Sequence, residues 1–464
     1  MNPSAAMLKA CVLAAIGAPG LVLALIAAPS FFRRDLPERT VGVLTQAGLT
    51  SSLLALVWAL LVSAGTGWTP EVLSLGGGWV SGGAFAFDFL IDGWSLGFAL
   101  LSVIICGVVS SFSFRYLHLE PGFHRYFMLL IAFVVGILLI SLAGSIEVLF
   151  AGWEILGLSS VLLVAFFHER AAPVANGLRV LAFYRIGDAC MLSAAVLLHH
   201  WSGSGSLASL FSGAKGVSAL GAQEAGVIAA LLIAAAAAKS GLFPFSTWLP
   251  RAMEGPTPSS AVYYGALSIH AGCFLLHRAF PLLERSPAAR VLAAAAGAAT
   301  ALYAAFLAQA QTDVKSRLCF ASLTQVGIIV VEIALGWRIL AFLHMAGNAC
   351  YRLLQFLCAP NILHDIHELE NDLGGRLARA AAAAPAAGDA AGTAREEEGS
   401  RAAPAGALYL CALERGFLDG IIERLVVEPL ARAAARLDRF DRRLCSSLPD
   451  LLGGAGREED SDGD

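Results

Sequence analysis

Long apolar runs, each bounded by short polar or basic stretches, set the pattern of this chain. Crossing a hydrocarbon layer ~30 Å thick takes about 20 apolar residues in a helix. Runs of that length fall near residues 10–32, 41–63, 92–114, 126–143, 146–167, 177–198, 224–243, 257–280, 288–309, 317–336 and 338–358. They predict an all-α polytopic membrane protein of about eleven transmembrane helices. A signal peptide is the other reading of the first run; the poor n-region around Lys9 and the lack of a clear small-residue cleavage site argue against it. Residues 64–91 are Gly-rich with short β-like stretches, Val72–Leu75 and Ala84–Leu90, and predict a hairpin outside the membrane.

Beyond Asp372 the pattern changes. Residues 366–405 read as a flexible Ala/Gly/Pro-rich linker. Residues 406–447 return to helical periodicity, with Leu410, Leu413, Phe417, Ile421 and Leu425 on one stripe and Glu414, Arg415, Glu423 and Arg424 largely away from it. That stretch is too charged to span and predicts a cytoplasmic amphipathic helix lying on the membrane or on a partner; an ordinary soluble helical hairpin is the alternative. Residues 448–464 form an acidic tail, expected to be disordered.

Composition agrees with a membrane solvent. Of 464 residues, 57% are hydrophobic and 14% charged, against about 25% charged in a soluble domain, and mean hydropathy is +0.71. A net charge of −4, from 31 basic and 35 acidic residues, leaves no nucleic-acid footprint. Most of the nine cysteines sit singly in apolar runs, and no CxxC, HExxH, Walker loop or dinucleotide fingerprint occurs, so no cofactor or metal is expected on this chain. With the N-terminus outside and the C-terminus cytoplasmic, ten basic residues of short loops face inward and six outward, which favours that orientation.

Charges inside the spans need a reason, because each costs ~2.5–3.5 kcal/mol or more at mid-membrane. Glu147 and Glu154 lie seven residues apart on one face of the fifth span, and Arg185 and Asp188 are at i and i+3 in the sixth, close enough to pair. Lys239 ends the Ala-rich seventh run, His270 lies midway along the eighth, and His344, Asn348 and Arg352 form an i, i+4, i+8 stripe in the eleventh. Gly241 and Pro244 follow Lys239, and a proline there predicts a break in the seventh helix. Broken helices at membrane depth are tolerated where they line a cavity or transport site. A carboxylate facing an ammonium across two spans keeps both charged, and separating them makes each prone to exchange a proton. Such pairs could equally fix helix packing, and the break could be a packing kink.

Five segments in order carry a resemblance: Gly152–Ser160 (GWEILGLSS), Arg185–Asp188 (RIGD), Lys239–Pro244 (KSGLFP), Met253–Ala261 (MEGPTPSSA) and Asp313–Ser322 (DVKSRLCFAS). Over roughly residues 85–365 the chain resembles the proton-antiporter-like membrane subunits of respiratory complex I, the NuoL type, and of Mrp antiporters. The resemblance implies an antiporter-like fold with a broken seventh helix and a pairing of Glu154 with Lys239. It also implies a proton half-channel through Glu154, Lys239, His270 and the 344–352 stripe, with Lys315 nearby. Glu147, Arg185, Asp188, Asn348 and Arg352 are expected to support it. Departures are visible: NuoL-type subunits have a second half with another broken helix, Asn348 stands where a second histidine is usual, and Arg352 where a lysine is usual.

Met253–Gly272, Leu353–Asp365 and Ala412–Asp419 are similar to the membrane subunits of two-subunit DAB inorganic-carbon accumulation complexes. This narrower resemblance implies a subunit of the bacterial inner membrane that conducts cations, chiefly protons, down their gradient. The flow would energise CO2 hydration or bicarbonate accumulation on a DabA-like, zinc-containing peripheral partner docked by the 406–447 helix. The chain itself is then a coupling subunit and no enzyme. Two other readings stay open: a proton-translocating subunit of a complex I-like, hydrogenase-type or Mrp complex, and a membrane anchor that no longer conducts.

Overall fold

The structure, a computed structural model, describes residues 3–32, 34–74, 87–203, 205–207, 220–311, 313–359, 424, 427–429, 432–433 and 435–442. It divides into two units, Met1–Gly416 and Phe417–Asp464. In the first, α1 (Pro3–Phe31) and α2 (Glu38–Gly65) precede a two-stranded antiparallel hairpin, β1 (Glu71–Ser74) and β2 (Asp88–Ile91), in the register Glu71↔Ile91 to Ser74↔Asp88. There follow α3 (Gly93–Tyr116), α4 (Phe123–Leu142), α5 (Ile146–Val164), α6 (Ala171–Ser202) and α7 (Ala222–Ser240). α8 (Thr257–Arg278), α9 (Pro287–Ala310), α10 (Val314–Leu335) and α11, over residues 338–359, complete the unit.

The first ten helices are long and apolar enough to cross a membrane, and α11, at 1.5 Å per residue, is roughly 33 Å long. Each of the eleven apolar runs therefore falls on a helix, with ends displaced by a few residues where local chemistry decides. Asp92 caps α3 by accepting Ser95 N–H at 2.8 Å, and Ser95 Oγ accepts Asp92 N–H in return at 2.9 Å. Asp313 caps α10 through Ser316 N–H at 2.7 Å. The strands follow the expected hairpin only at its base, and its tip, 75–86, lies outside the described residues.

α8 is buried along its whole length, packed against α3, α7 and α10, so any polar group on it is screened from lipid by protein. Its segment Ala261–Leu267 is π-helical, a local widening that recurs at functional sites. Asp92, directly after β2, pairs with Arg278 at the end of α8 (Oδ2 to Nη1, 2.6 Å), and His277 Nε2 lies 3.2 Å from Arg338 O at the start of α11. The hairpin, the end of α8 and the α10–α11 turn thus share one end of the bundle, the hairpin end.

In the second unit, residues 427–429, 432–433 and 435–442 are helical, with Arg442 Nε donating to Asp438 at 3.0 Å and Leu437 and Phe440 exposed. The linker over 366–405, the acidic tail over 448–464 and every residue of the stripe from Leu410 to Leu425 lie outside the described residues.

Candidate functional site

α7 ends one residue past Lys239. Gly241 takes φ +67°, and its N–H closes the helix on Ala237 O, a left-handed geometry that costs a residue with a Cβ. Short helical turns over Phe245–Thr247, Trp248–Arg251 and Ala252–Glu254 follow, so the break expected at Gly241 and Pro244 is present.

The Lys239 side chain is 1% exposed and crosses to α5, where its Nζ donates to Trp153 O at 3.1 Å. The ammonium also stands 4.1 Å from the Tyr184 ring centroid and 4.8 Å from that of Trp153, a cation held partly by aromatic faces. Gly157 makes room for it: a Cβ there would sit 2.6 Å from Nζ.

The direct Glu154–Lys239 pair implied by the resemblance is not formed. Arg185 intervenes: its Nη2 lies 2.6 Å from Glu154 Oε2 and 2.7 Å from Asp188 Oδ2, so the local i, i+3 pair on α6 does form and recruits Glu154 from α5. Both contacts are made by the one Nη2, and the contact to Glu154 is the one with hydrogen-bond geometry. Among the described residues no carboxylate lies within 4.0 Å of Lys239, although Asp188 and Glu154 both act on it electrostatically. Two cations and two carboxylates balance. The Arg185 side chain is 46% exposed and that of Glu154 29%, half-way along their helices.

The second cluster lies on α8, α10 and α11. His270, fully buried, bonds Ala266 O through Nδ1, and its Nε2 faces Asn348 Nδ2 at 3.1 Å. One turn along α11, His344 Nδ1 lies 3.0 and 3.1 Å from the two oxygens of Glu332, and its Nε2 lies 3.0 Å from Gln325 Oε1. Arg352 ends the stripe, donating to Gln355 Oε1 at 2.6 Å and Ala321 O at 3.1 Å. Lys315, at the opposite end of α10 from the hairpin, feels Asp313 and Glu254. Glu147 stands apart, paired with His199 at 2.7 Å.

The structure therefore places Glu154, Arg185 and Asp188 around Lys239 and sets His270, Asn348, His344 and Arg352 along a second polar line, while Glu147 and Lys315 join neither group. Glu332 and Gln325 belong to the histidine cluster without having been singled out from sequence. For Glu332 the signal was the same one that marks Glu154, a lone carboxylate in an apolar run. Among the described residues no group of three or more His, Cys, Asp or Glu could hold a metal.

The transmembrane model of the NADH:quinone oxidoreductase/Mrp antiporter family matches residues 143–380, just over half of the chain. The chain belongs to that family. The matched span of this antiporter-family subunit contains both clusters, and the model of the complex I chain 5 N-terminus matches residues 79–127. NADH-ubiquinone oxidoreductase chain 5 of Sus scrofa is 32% identical over 289 residues, and that of Pongo pygmaeus 33% over 290, each alignment covering 62% of this chain and 46% of the relative. The chain thus spans about half the length of these curated relatives.

Among solved structures, a chain of the Mrp complex from Dietzia sp. DQ12-45-1b superposes with a TM-score of 0.65 at 27% identity, covering 75% of this chain and 37% of that one. A chain of the archaeal membrane-bound sulfane sulfur reductase, a respiratory membrane complex, also reaches 0.65, at 20% identity and 75% and 70% coverage, and shares the fold. The antiporter-like membrane fold is established on these grounds.

Proposed function

We propose that this chain carries protons across the membrane through Lys239, His270 and His344. Glu154, Arg185 and Asp188 set the charge around Lys239, and Lys315 and Arg352 set the field at the end of the bundle away from the hairpin. The observation that carries this reading is Lys239 itself, a buried lysine at a helix break with no carboxylate in direct contact among the described residues. Such an ammonium is poised to exchange its proton as the contacts of Arg185 with Glu154 and Asp188 break and re-form. Ser240, beside Lys239, and Ser268, two residues before His270, are buried hydroxyls that lie against Cys273 and Tyr184.

In its finer form the reading is a DabB-like subunit of the bacterial inner membrane, N-terminus outside, whose proton flow energises inorganic-carbon uptake by a DabA-like zinc protein. The support is the likeness of Met253–Gly272, Leu353–Asp365 and Ala412–Asp419 to that group. Purification of the intact complex from native membranes, with metal analysis, tests it: a zinc-containing peripheral subunit in stoichiometric amount is expected. Recovery with quinone-oxidoreductase or antiporter subunits, and no zinc protein, would overturn it.

A second reading has its own observation. A half-exposed Arg185–Glu154 pair at mid-span is costly against lipid, and a lateral membrane subunit would cover it, as in a complex I-like, hydrogenase-type or Mrp assembly. The same purification decides between the two.

A further inference from the structure

Glu332 lies on α10 three residues before its end, 9% exposed. Gly336 closes the helix in a left-handed turn, and Trp337 N–H bonds Glu332 O at 3.0 Å. The carboxylate is thereby held about one turn from the α10–α11 connection, where Trp337 is exposed. Gln325 lies seven residues earlier, so both face the same side of α10 about 10 Å apart, and His344 of α11 fits between them.

We propose that Glu332, His344 and Gln325 form a proton-exchange site at the hairpin end of α10 and α11. This deepens the proton-carrying reading and rests on it. Gln325 Oε1 accepts the His344 Nε2–H at 3.0 Å and so fixes the tautomer, leaving Nδ1 turned to the two Glu332 oxygens at 3.0 and 3.1 Å. The step is a single transfer. The Nδ1–H bond breaks, an O–H bond forms on Glu332, and imidazolium plus carboxylate become neutral imidazole plus carboxylic acid. Both ring nitrogens keep their partners in both states, no side chain has to move, and the net charge of the pair is unchanged. A buried site whose total charge stays constant avoids the desolvation cost of a lone ion. Asn348 lies one helical turn from His344 on α11, with its Nδ2 3.1 Å from His270 Nε2, and His270 feels His344 electrostatically, which couples the exchange site to the middle of the bundle.

The test uses the full chain in its native complex, in sealed membrane vesicles, with proton flux driven by an imposed gradient. Wild type, Lys239→Ala, Glu332→Gln and Glu332→Asp are compared at equal assembly. The nitrogen resonances of His344, assigned by its loss in His344→Gln, are followed in wild type and Glu332→Gln. Glu332→Gln should lower flux roughly tenfold or more, as loss of a proton-transfer partner does, while Glu332→Asp keeps most of it. The His344 ring should hold a shared proton at Nδ1 in wild type and become a neutral Nε2–H imidazole in Glu332→Gln. Wild-type flux in Glu332→Gln, or a His344 spectrum unchanged by it, overturns the exchange site while a loss in Lys239→Ala leaves the underlying reading standing. Absence of flux in the wild type, or full flux in Lys239→Ala, overturns both. Loss of flux in Glu332→Asp as well, with an unchanged His344 spectrum, assigns the pair to packing.

Discussion

Lys239 holds its place through contacts that bind a cation weakly: one backbone carbonyl and two aromatic faces. A lysine clamped by a carboxylate would keep its proton; in the proposed mechanism this one exchanges it as the contacts of Arg185 change. Gly157 leaves the space the ammonium occupies. Because the Cβ of Gly157→Ala would crowd only the far end of the lysine, at 2.6 Å, and meet the Tyr184 ring at an ordinary 3.4 Å, the variant should fold and assemble normally, and its gradient-driven flux should fall several-fold. Thermal melting in detergent beside the flux assay checks both halves of that expectation. Lys239, His270 and His344 were legible in the sequence because a titratable side chain in an apolar run costs enough to be conspicuous. The partner of each was not, since pairing depends on which faces of two distant helices meet. Arg185 capturing Glu154, and Glu332 reaching His344, are outcomes of packing between elements.

At the scale of elements, the break after α7 and the closure at the hairpin end do different work. Gly241 sits at φ +67° with only ordinary contacts around a built Cβ, so Gly241→Ala should cost about 1–2 kcal/mol from backbone strain alone. A lowered melting temperature would register it. At the hairpin end, Asp92 and Arg278 are both largely buried and bonded at 2.6 Å, joining the start of α3 to the end of α8. Removing the cation in Arg278→Ala leaves the largely buried carboxylate with only its cap bond to Ser95 N–H and the field of Arg338, a loss of up to about 3 kcal/mol. The double change with Asp92→Ala should be milder than Arg278→Ala, and a double-mutant cycle on melting temperatures measures the coupling. The helices themselves were legible almost to their ends, because bilayer thickness demands runs near 20 residues. The fully buried course of α8 and its π-helical stretch were not, since an apolar run reads alike whether lipid or protein surrounds it.

For the whole molecule, the half-exposed Arg185–Glu154 pair predicts that this subunit does not meet lipid on every side. Arg185→Ala should reduce the yield of intact complex on native gels, and an unchanged yield would place that face against lipid. Family membership and the antiporter-like fold follow from matches over the same span that holds both clusters, while the job of the assembled complex rests on partners that must be isolated with it. The most direct test of the central claim is proton flux in sealed vesicles carrying the native complex, wild type against Lys239→Ala at equal assembly. Gradient-driven flux in the wild type and near-complete loss in Lys239→Ala is the expected result; equal flux in the two would contradict the account.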